Sequence, residues 1–239
     1  MKIIAHRGGT FGKENSLETM IMAAKSGVYA VECDIRKTID GVYVIYHDDD
    51  LSRLAGESAN VSETTFEKMQ EYMRKAGNEV LTFEQLKNGY KESAPLLLHI
   101  KLLDYDMEFA KMIAESGLPI IAGVMSLDML KCFSAYFPPE RILAFLPKPE
   151  MAKEFYENGT GIIRLWEQWL DKVTPTDIKK DCPNTEVFIM MCNVGETGGL
   201  ITLESMDGSI SSLEKCKAHL ADGVLLNNTE MALKWQNNK

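Results

Sequence analysis

Short runs of Ile, Val and Leu alternate with longer stretches whose apolar residues recur every three or four positions, and the alternation runs the whole length of the chain. The first pattern is that of a buried strand and the second that of a helix with one apolar face. Strands are predicted at 2–6, 30–35, 96–101, 119–124, 141–146, 161–165, 186–192 and 223–227. Helical stretches are predicted at 16–26, 65–75, 105–117, 126–136, 149–157 and 209–221, each long enough to cross over between parallel strands. No linker or low-complexity segment interrupts these eight βα units, so one domain over residues 1–239 is expected. Eight such units suit a (β/α)8 TIM barrel, and an open doubly wound parallel sheet gives the same alternation. Either fold collects its functional groups at the C-terminal ends of the strands.

One segment departs from the rhythm. "VECDIRKTIDGVYVIYHDDDL" holds two strand-like runs separated by Asp40-Gly41, a two-residue hairpin signal, and predicts a short extra β-hairpin after the second strand. With that turn, paired positions sum to 81, Asp34 lies opposite His47, and Glu32 shares their face.

Polar residues at the predicted strand ends are therefore read as chemistry before packing. The first apolar run ends abruptly in "AHRGG", which offers a titratable ring, a permanent cation and two residues without side chains, as an anion site would. Of the four histidines, His6, His47 and His99 fall at or near strand ends, whereas His219 lies on a predicted helix and is expected to be half-buried or solvated. Glu32 and Asp34 share one face of a strand, and two carboxylates in a small space need a cation or a proton between them. Hard oxygen ligands of this kind suit Mg²⁺ or Ca²⁺. Arg7 and Lys101 add fixed positive charge, and a metal, an Arg and a Lys around one point match a phosphate.

Composition narrows the partners. A net charge of −9 excludes an extended nucleic-acid or anionic-membrane surface, so an anion site has to be a local exception. The five cysteines are odd in number and form no C-x-x-C pair, which predicts reduced thiols and no zinc site. No secretory leader and no run long enough to span a bilayer is present, and a cytoplasmic location is expected.

At this level of detail the chain resembles the glycerophosphodiester phosphodiesterases. "AHRGG" followed by "KENSLETMIMAAKSG" and "VECDIRKTIDGVYVIYHDDDLSR" is similar to the amino-terminal signature of that family in order and spacing. "MSLDML", Asn193 and "LADGVLLNNTEMA" resemble later segments of it. The resemblance implies a (β/α)8 barrel that cleaves glycerophosphodiesters to an alcohol and sn-glycerol 3-phosphate with a divalent metal, Mg²⁺ or Ca²⁺ and also Mn²⁺. By position it makes His6 and His47 the catalytic histidines, and Arg7, Glu14, Asn15 and Lys101 binders of phosphate or substrate. Glu32 and Asp34 become metal ligands. Apart from the resemblance, Trp166 is expected on the substrate rim.

Departures are concentrated at the site. His99 stands where the family has a third acidic ligand, and either takes that ligand's place or hydrogen-bonds in the vacated space. Met190 replaces a tryptophan, Asn227-Asn228 replaces Thr-Asp, and the loop after Asn193 is longer. They motivate two rival expectations: a phosphodiesterase for a lysolipid or cyclic phosphodiester, favoured by an apolar rim near Trp166 and Trp169, or a non-catalytic phosphodiester-binding protein. The oligomeric state is open at this stage.

Overall fold

Eight parallel strands close on themselves in a computed structural model that describes residues 1–102, 104–192 and 204–238. They are β1 (Lys2–Ala5), β2 (Ala30–Lys37), β3 (Leu96–Ile100) and β4 (Ile120–Val124), then β5 (Ile142–Phe145), β6 (Ile162–Trp166), β7 (Glu186–Met190) and β8 (Gly223–Leu226). Each pairs in parallel with the next, and β1 pairs with both β2 and β8, where Ile3 lies opposite Val224. A strand that begins the chain and is hydrogen-bonded on both edges rules out the open doubly wound sheet.

Alternation along each strand divides its residues between two cores. Ile4, Leu97, Ile121, Leu143, Ile162, Phe188 and Leu225 fill the barrel interior. Their neighbours, such as Ile3, Val31, Leu98, Ala122, Ile163 and Val224, pack outward against the helices. Because side chains repeat their direction every second residue, the inward series continues from Ile4 to His6, from Ala30 to Glu32 and Asp34, and from Leu97 to His99. It also runs from Ile162 to Arg164 and from Leu225 to Asn227. The interior is thus apolar at its base and becomes polar toward the C-terminal mouth.

The helices begin where a side chain can satisfy their first amides. Ser16, Asp106, Ser126 and Ser209 each accept a hydrogen bond from the backbone N–H three residues on, opening Leu17–Lys25, Met107–Ala114, Leu127–Ser134 and Ile210–Ala218. Three helices that periodicity does not announce, Phe83–Gly89, Pro175–Asp181 and Thr229–Asn237, are too short for an 11-residue window. Their signal is in their caps: Thr82 and Thr174 form capping boxes, and Asn228 accepts from the Met231 amide. Among the described residues no helix is long and apolar enough to cross a membrane. Asn193 and most of the loop that follows it lie outside the described residues.

Past the barrel rim β2 pairs antiparallel with Tyr43–Ile45, with Ile35 opposite Ile45 and Lys37 opposite Tyr43. Paired positions therefore sum to 80, one less than the two-residue turn requires. The turn takes three residues because Gly41 adopts φ 82 at its end, and because the Asp40 carboxylate is engaged by the Thr38 hydroxyl and the Phe66 amide. Asp34 accordingly faces Tyr46, whose N–H donates to its carbonyl, and not His47. His47 reaches the barrel mouth from beyond the strand end instead. Val44, Tyr46, Leu51, Val61, Met69, Met73 and Val80 form a separate small core under this excursion between β2 and β3.

Gly123 of β4 is inward-facing beside His99. A Cβ there would lie 2.5 Å from Phe145 Cε2 and 2.9 Å from the Leu98 carbonyl oxygen, so the glycine makes room for the Phe145 ring at the mouth. Gly123→Ala is expected to destabilise the fold by about 1–3 kcal/mol through overpacking, read from the midpoint of urea unfolding.

Candidate active site

The mouth is organised by the four residues that end the first strand. Arg7 takes a left-handed conformation (φ 52, ψ 28), followed by Gly8 at φ 90 and Gly9 at φ 74. For a side chain other than glycine this costs of the order of 1–3 kcal/mol and persists only where the surroundings fix it. Here the Arg7 amide donates to Glu32 Oε2 at 2.9 Å, and its carbonyl accepts from the Asn15 amide at 3.0 Å. Its guanidinium lies 3.3 Å from Glu14 Oε2 and 3.8 Å from Asp34 Oδ2. Asn15 closes the loop by donating from its side chain to Asp34 Oδ2 at 3.1 Å.

Glu32 and Asp34 are 1% and 0% exposed. Burial and the neighbouring Asp34 charge push the Glu32 carboxyl up. Burial acts the same way on Asp34, but Lys101 and His99 beside it hold that carboxyl well below the usual range. Lys101 Nζ and His99 Nδ1 both stand 3.2 Å from Asp34 Oδ1, yet neither is aligned to hydrogen-bond it, and this oxygen is buried without a hydrogen-bond partner. Glu32, Asp34 and His99 bring one donor atom each within 4.8 Å of one another, and an unsatisfied buried oxygen among them is what a cation would meet. Two carboxylates and an imidazole fit a divalent metal.

His6 is buried and His99 is mostly so. His6 Nδ1 is 2.8 Å from Asn227 Oδ1, and the amide of Asn227 is oriented by its own donation to Asp207 Oδ1 at 3.0 Å. The Asn227 oxygen thus faces the ring, which assigns the His6 proton to Nδ1 and leaves Nε2 as an acceptor 4.0 Å from Glu32 Oε2. Burial, aided by the Arg7 charge, pushes His6 down to about 3. His99 lies flat on Phe145 with ring centroids 3.8 Å apart, and burial pushes it down to about 4. Its Nε2 is buried without a partner.

His47 is more exposed and is held from the rim. Its Nδ1 is 2.6 Å from Asp48 Oδ1, and its carbonyl accepts from Lys101 Nζ at 3.3 Å and from Arg36 Nε at 2.9 Å. Although burial opposes it, the hydrogen bonds from His47 and Arg53 hold the Asp48 carboxyl below its ordinary range. Arg53 then ties Asp48 to Glu14, so the rim beside His47 is a continuous charged chain that ends on Arg7.

The structure therefore gathers His6, Arg7, Glu14, Asn15, Glu32, Asp34, His99 and Lys101 in one connected group, with His47 joined to it through Lys101 and Asp48. Trp166 stands apart from this group. It packs on the guanidinium of Arg164, 4.4 Å from its ring centre, and Arg164 in turn lies over the Phe145 ring that carries His99. Asp48, Arg53 and Arg164 are not singled out as site residues from the sequence, and Asn227 is marked there only as a departure at the end of the last strand. Arg164 had a legible signal, since in "IIRLW" it sits between Ile162 and Trp166 on the inward face of a strand. Met190, at the tryptophan position, is a buried part of the interior core.

Residues 6–122 match the glycerophosphoryl diester phosphodiesterase family. Glycerophosphodiester phosphodiesterase 1 of Rattus norvegicus is 43% identical over 68 residues, which are 28% of this chain and 20% of that protein, so the match spans about a fifth of the curated relative. Among solved structures, a glycerophosphodiester phosphodiesterase from Thermotoga maritima aligns over 97% of this chain and 96% of its own, with a TM-score of 0.73 and 19% identity. An Oleispira antarctica phosphodiesterase, solved in complex with the product sn-glycerol-3-phosphate, aligns over 99% and 97% with a TM-score of 0.71 and 17% identity. At these identities the two structures speak for the shared barrel.

Burial of the two inward histidines has a direct readout. Their ring carbon resonances are expected to stay constant as pH falls from 8 to about 5, because both shifts move protonation to lower pH. A midpoint near 6.5 in either ring, seen by NMR titration, would contradict the burial described.

Proposed function

We propose, on the match of residues 6–122 to the glycerophosphoryl diester phosphodiesterase family, that the chain hydrolyses glycerophosphodiesters to an alcohol and sn-glycerol 3-phosphate. The observation that carries this reading is the buried Glu32–Asp34 pair with His6, His99, Arg7 and Lys101 converging on it at a barrel mouth. A divalent ion, Mg²⁺ or Ca²⁺ with Mn²⁺ also admitted, would be held by Glu32, Asp34 and His99, and would supply charge to the phosphoryl oxygens.

The chain's own groups do the rest. Arg7 and Lys101 add positive charge where a phosphodiester anion has to lose its water, and Arg7 is prevented from moving by its strained, fully bonded backbone. His6 is the proton acceptor: its neutral ring, with Nδ1–H fixed on Asn227, keeps an Nε2 lone pair available for the hydrogen of the attacking oxygen. His47 is the proton donor to the leaving alkoxide, its ring being anchored by Asp48 so that Nε2 is left for the substrate. Glu14 and Asn15 act through others, the first as a bridge between Arg7 and Arg53 and the second as a brace on Asp34.

Release of glycerol 3-phosphate from a panel of glycerophosphodiesters, with and without a chelator, tests the reading. His6→Ala and His47→Ala are each expected to fold and to lose roughly 10²–10⁴ in kcat. Wild-type rates in either would remove that histidine from the reaction. No turnover by the metal-loaded wild-type protein would leave a phosphodiester-binding protein as the alternative.

His99 is expected to set which ion is preferred. An imidazole in place of a carboxylate leaves one negative charge fewer, which weakens hard cations and favours softer ones such as Mn²⁺. His99→Glu should therefore bind Mg²⁺ or Ca²⁺ more tightly than wild type by calorimetry. Equal affinity would mean that His99 is not among the ligands.

A further inference from the structure

Arg164 is a buried cation at the mouth that the reaction above does not use. Its side chain rises from the inward face of β6 and is only 6% exposed. Three rings surround the guanidinium, with Trp166 at 4.4 Å, Phe145 at 5.2 Å and Trp169 at 5.9 Å from its centre. Nε and Nη1 are buried and have no hydrogen-bond partner, and among the described residues no carboxylate is in ion-pair range of it.

A buried charge is ordinarily paired, since leaving it alone costs several kcal/mol. Aromatic faces recover part of that cost, but they do not satisfy N–H donors. Burial accordingly pushes even this guanidinium down, to about 9. What the surroundings lack is a hydrogen-bond acceptor at the guanidinium edge. A carboxylate in the guanidinium plane meets that edge with two parallel N–H···O bonds. The distance to the reacting group is short in terms of intervening side chains: Arg164 covers Phe145, Phe145 carries His99, and His99 stands 3.2 Å from Asp34.

We propose that Arg164 is a specificity residue, and that the preferred substrates are glycerophosphodiesters whose alcohol moiety carries a carboxylate that docks on its guanidinium. The inference rests on the phosphodiesterase reading and adds the substrate class to it. It also revises the rim near Trp166 and Trp169, which is an aromatic frame around a cation and not a plain apolar surface for a lysolipid chain. Cationic alcohols such as choline meet repulsion there.

Glycerophosphoserine and glycerophosphoethanolamine differ by one carboxylate, so the ratio of their kcat/KM values isolates it. The wild-type ratio is expected to favour the serine ester by about 10- to 100-fold, the range for a charge-assisted hydrogen-bonded contact. Arg164→Met should bring the ratio close to one, with Tm unchanged or raised, because an unpaired buried cation has been removed. A wild-type ratio near one, or a ratio that survives Arg164→Met, overturns the proposal. So does an equal loss on both esters accompanied by a lower Tm, which would make the residue structural. Should Arg164→Met fail to fold, Arg164→Lys, which keeps the charge but not the fork, is expected to show an intermediate ratio, and a wild-type ratio there is again contrary. If neither ester is hydrolysed, the phosphodiesterase reading fails on its own, and the ratio of the two dissociation constants, measured by calorimetry on wild type and Arg164→Met, decides the role of Arg164.

Discussion

Two carboxylates two residues apart on one strand face, both out of contact with water, cannot stay together in a protein without compensation. Nearly every unusual feature at the mouth of this barrel can be derived from that requirement. The backbone of Arg7 is forced into a left-handed turn so that its amide reaches Glu32, and its guanidinium is drawn toward Asp34. Lys101 gives up solvent to stand beside Asp34 Oδ1, at the cost of a pKa lowered by burial. Asn15 also occupies a left-handed position, and braces the second oxygen of Asp34. Charge compensation thus shapes the backbone as well as the side chains.

The same requirement explains why the two inward histidines are neutral. A protonated ring next to Glu32 and Asp34 would gain Coulomb energy, but it would have to do so without water and beside Arg7, Lys101 and Arg164. Burial wins at both positions. The outcome is a division of labour between fixed charge, carried by Arg and Lys, and neutral ring nitrogens able to accept a proton or a metal ion.

Much of this was legible in the sequence, for a physical reason. A parallel barrel buries its strands on both faces, so each strand is a clear apolar run and its polar terminus is conspicuous; His6, Glu32, Asp34 and His99 were all found in this way. What was lost depended on information that a one-dimensional pattern does not hold. The hairpin register was set by where the Asp40 side chain found partners, one of them the distant Phe66 amide, and a turn of two residues or three cannot be told apart from Asp-Gly alone. Asp48 and Arg53 lie in a rim segment without periodicity. Arg164 left its signal in "IIRLW", but a single cation within an apolar strand carries no direction until the inward face of that strand is known.

The partner that fixes the proton of His6 is Asn227, 221 positions further along the chain. The bond joins the end of the first strand to the end of the last, across the seam where the barrel closes. His6 is made 221 positions before Asn227, so its ring lacks the partner that fixes its proton until the last strand of the barrel has followed the first. Chains that still lack β8 therefore have the acidic pair of β2 but no fixed ring at His6, and an oriented His6 reports that the circle of strands is complete.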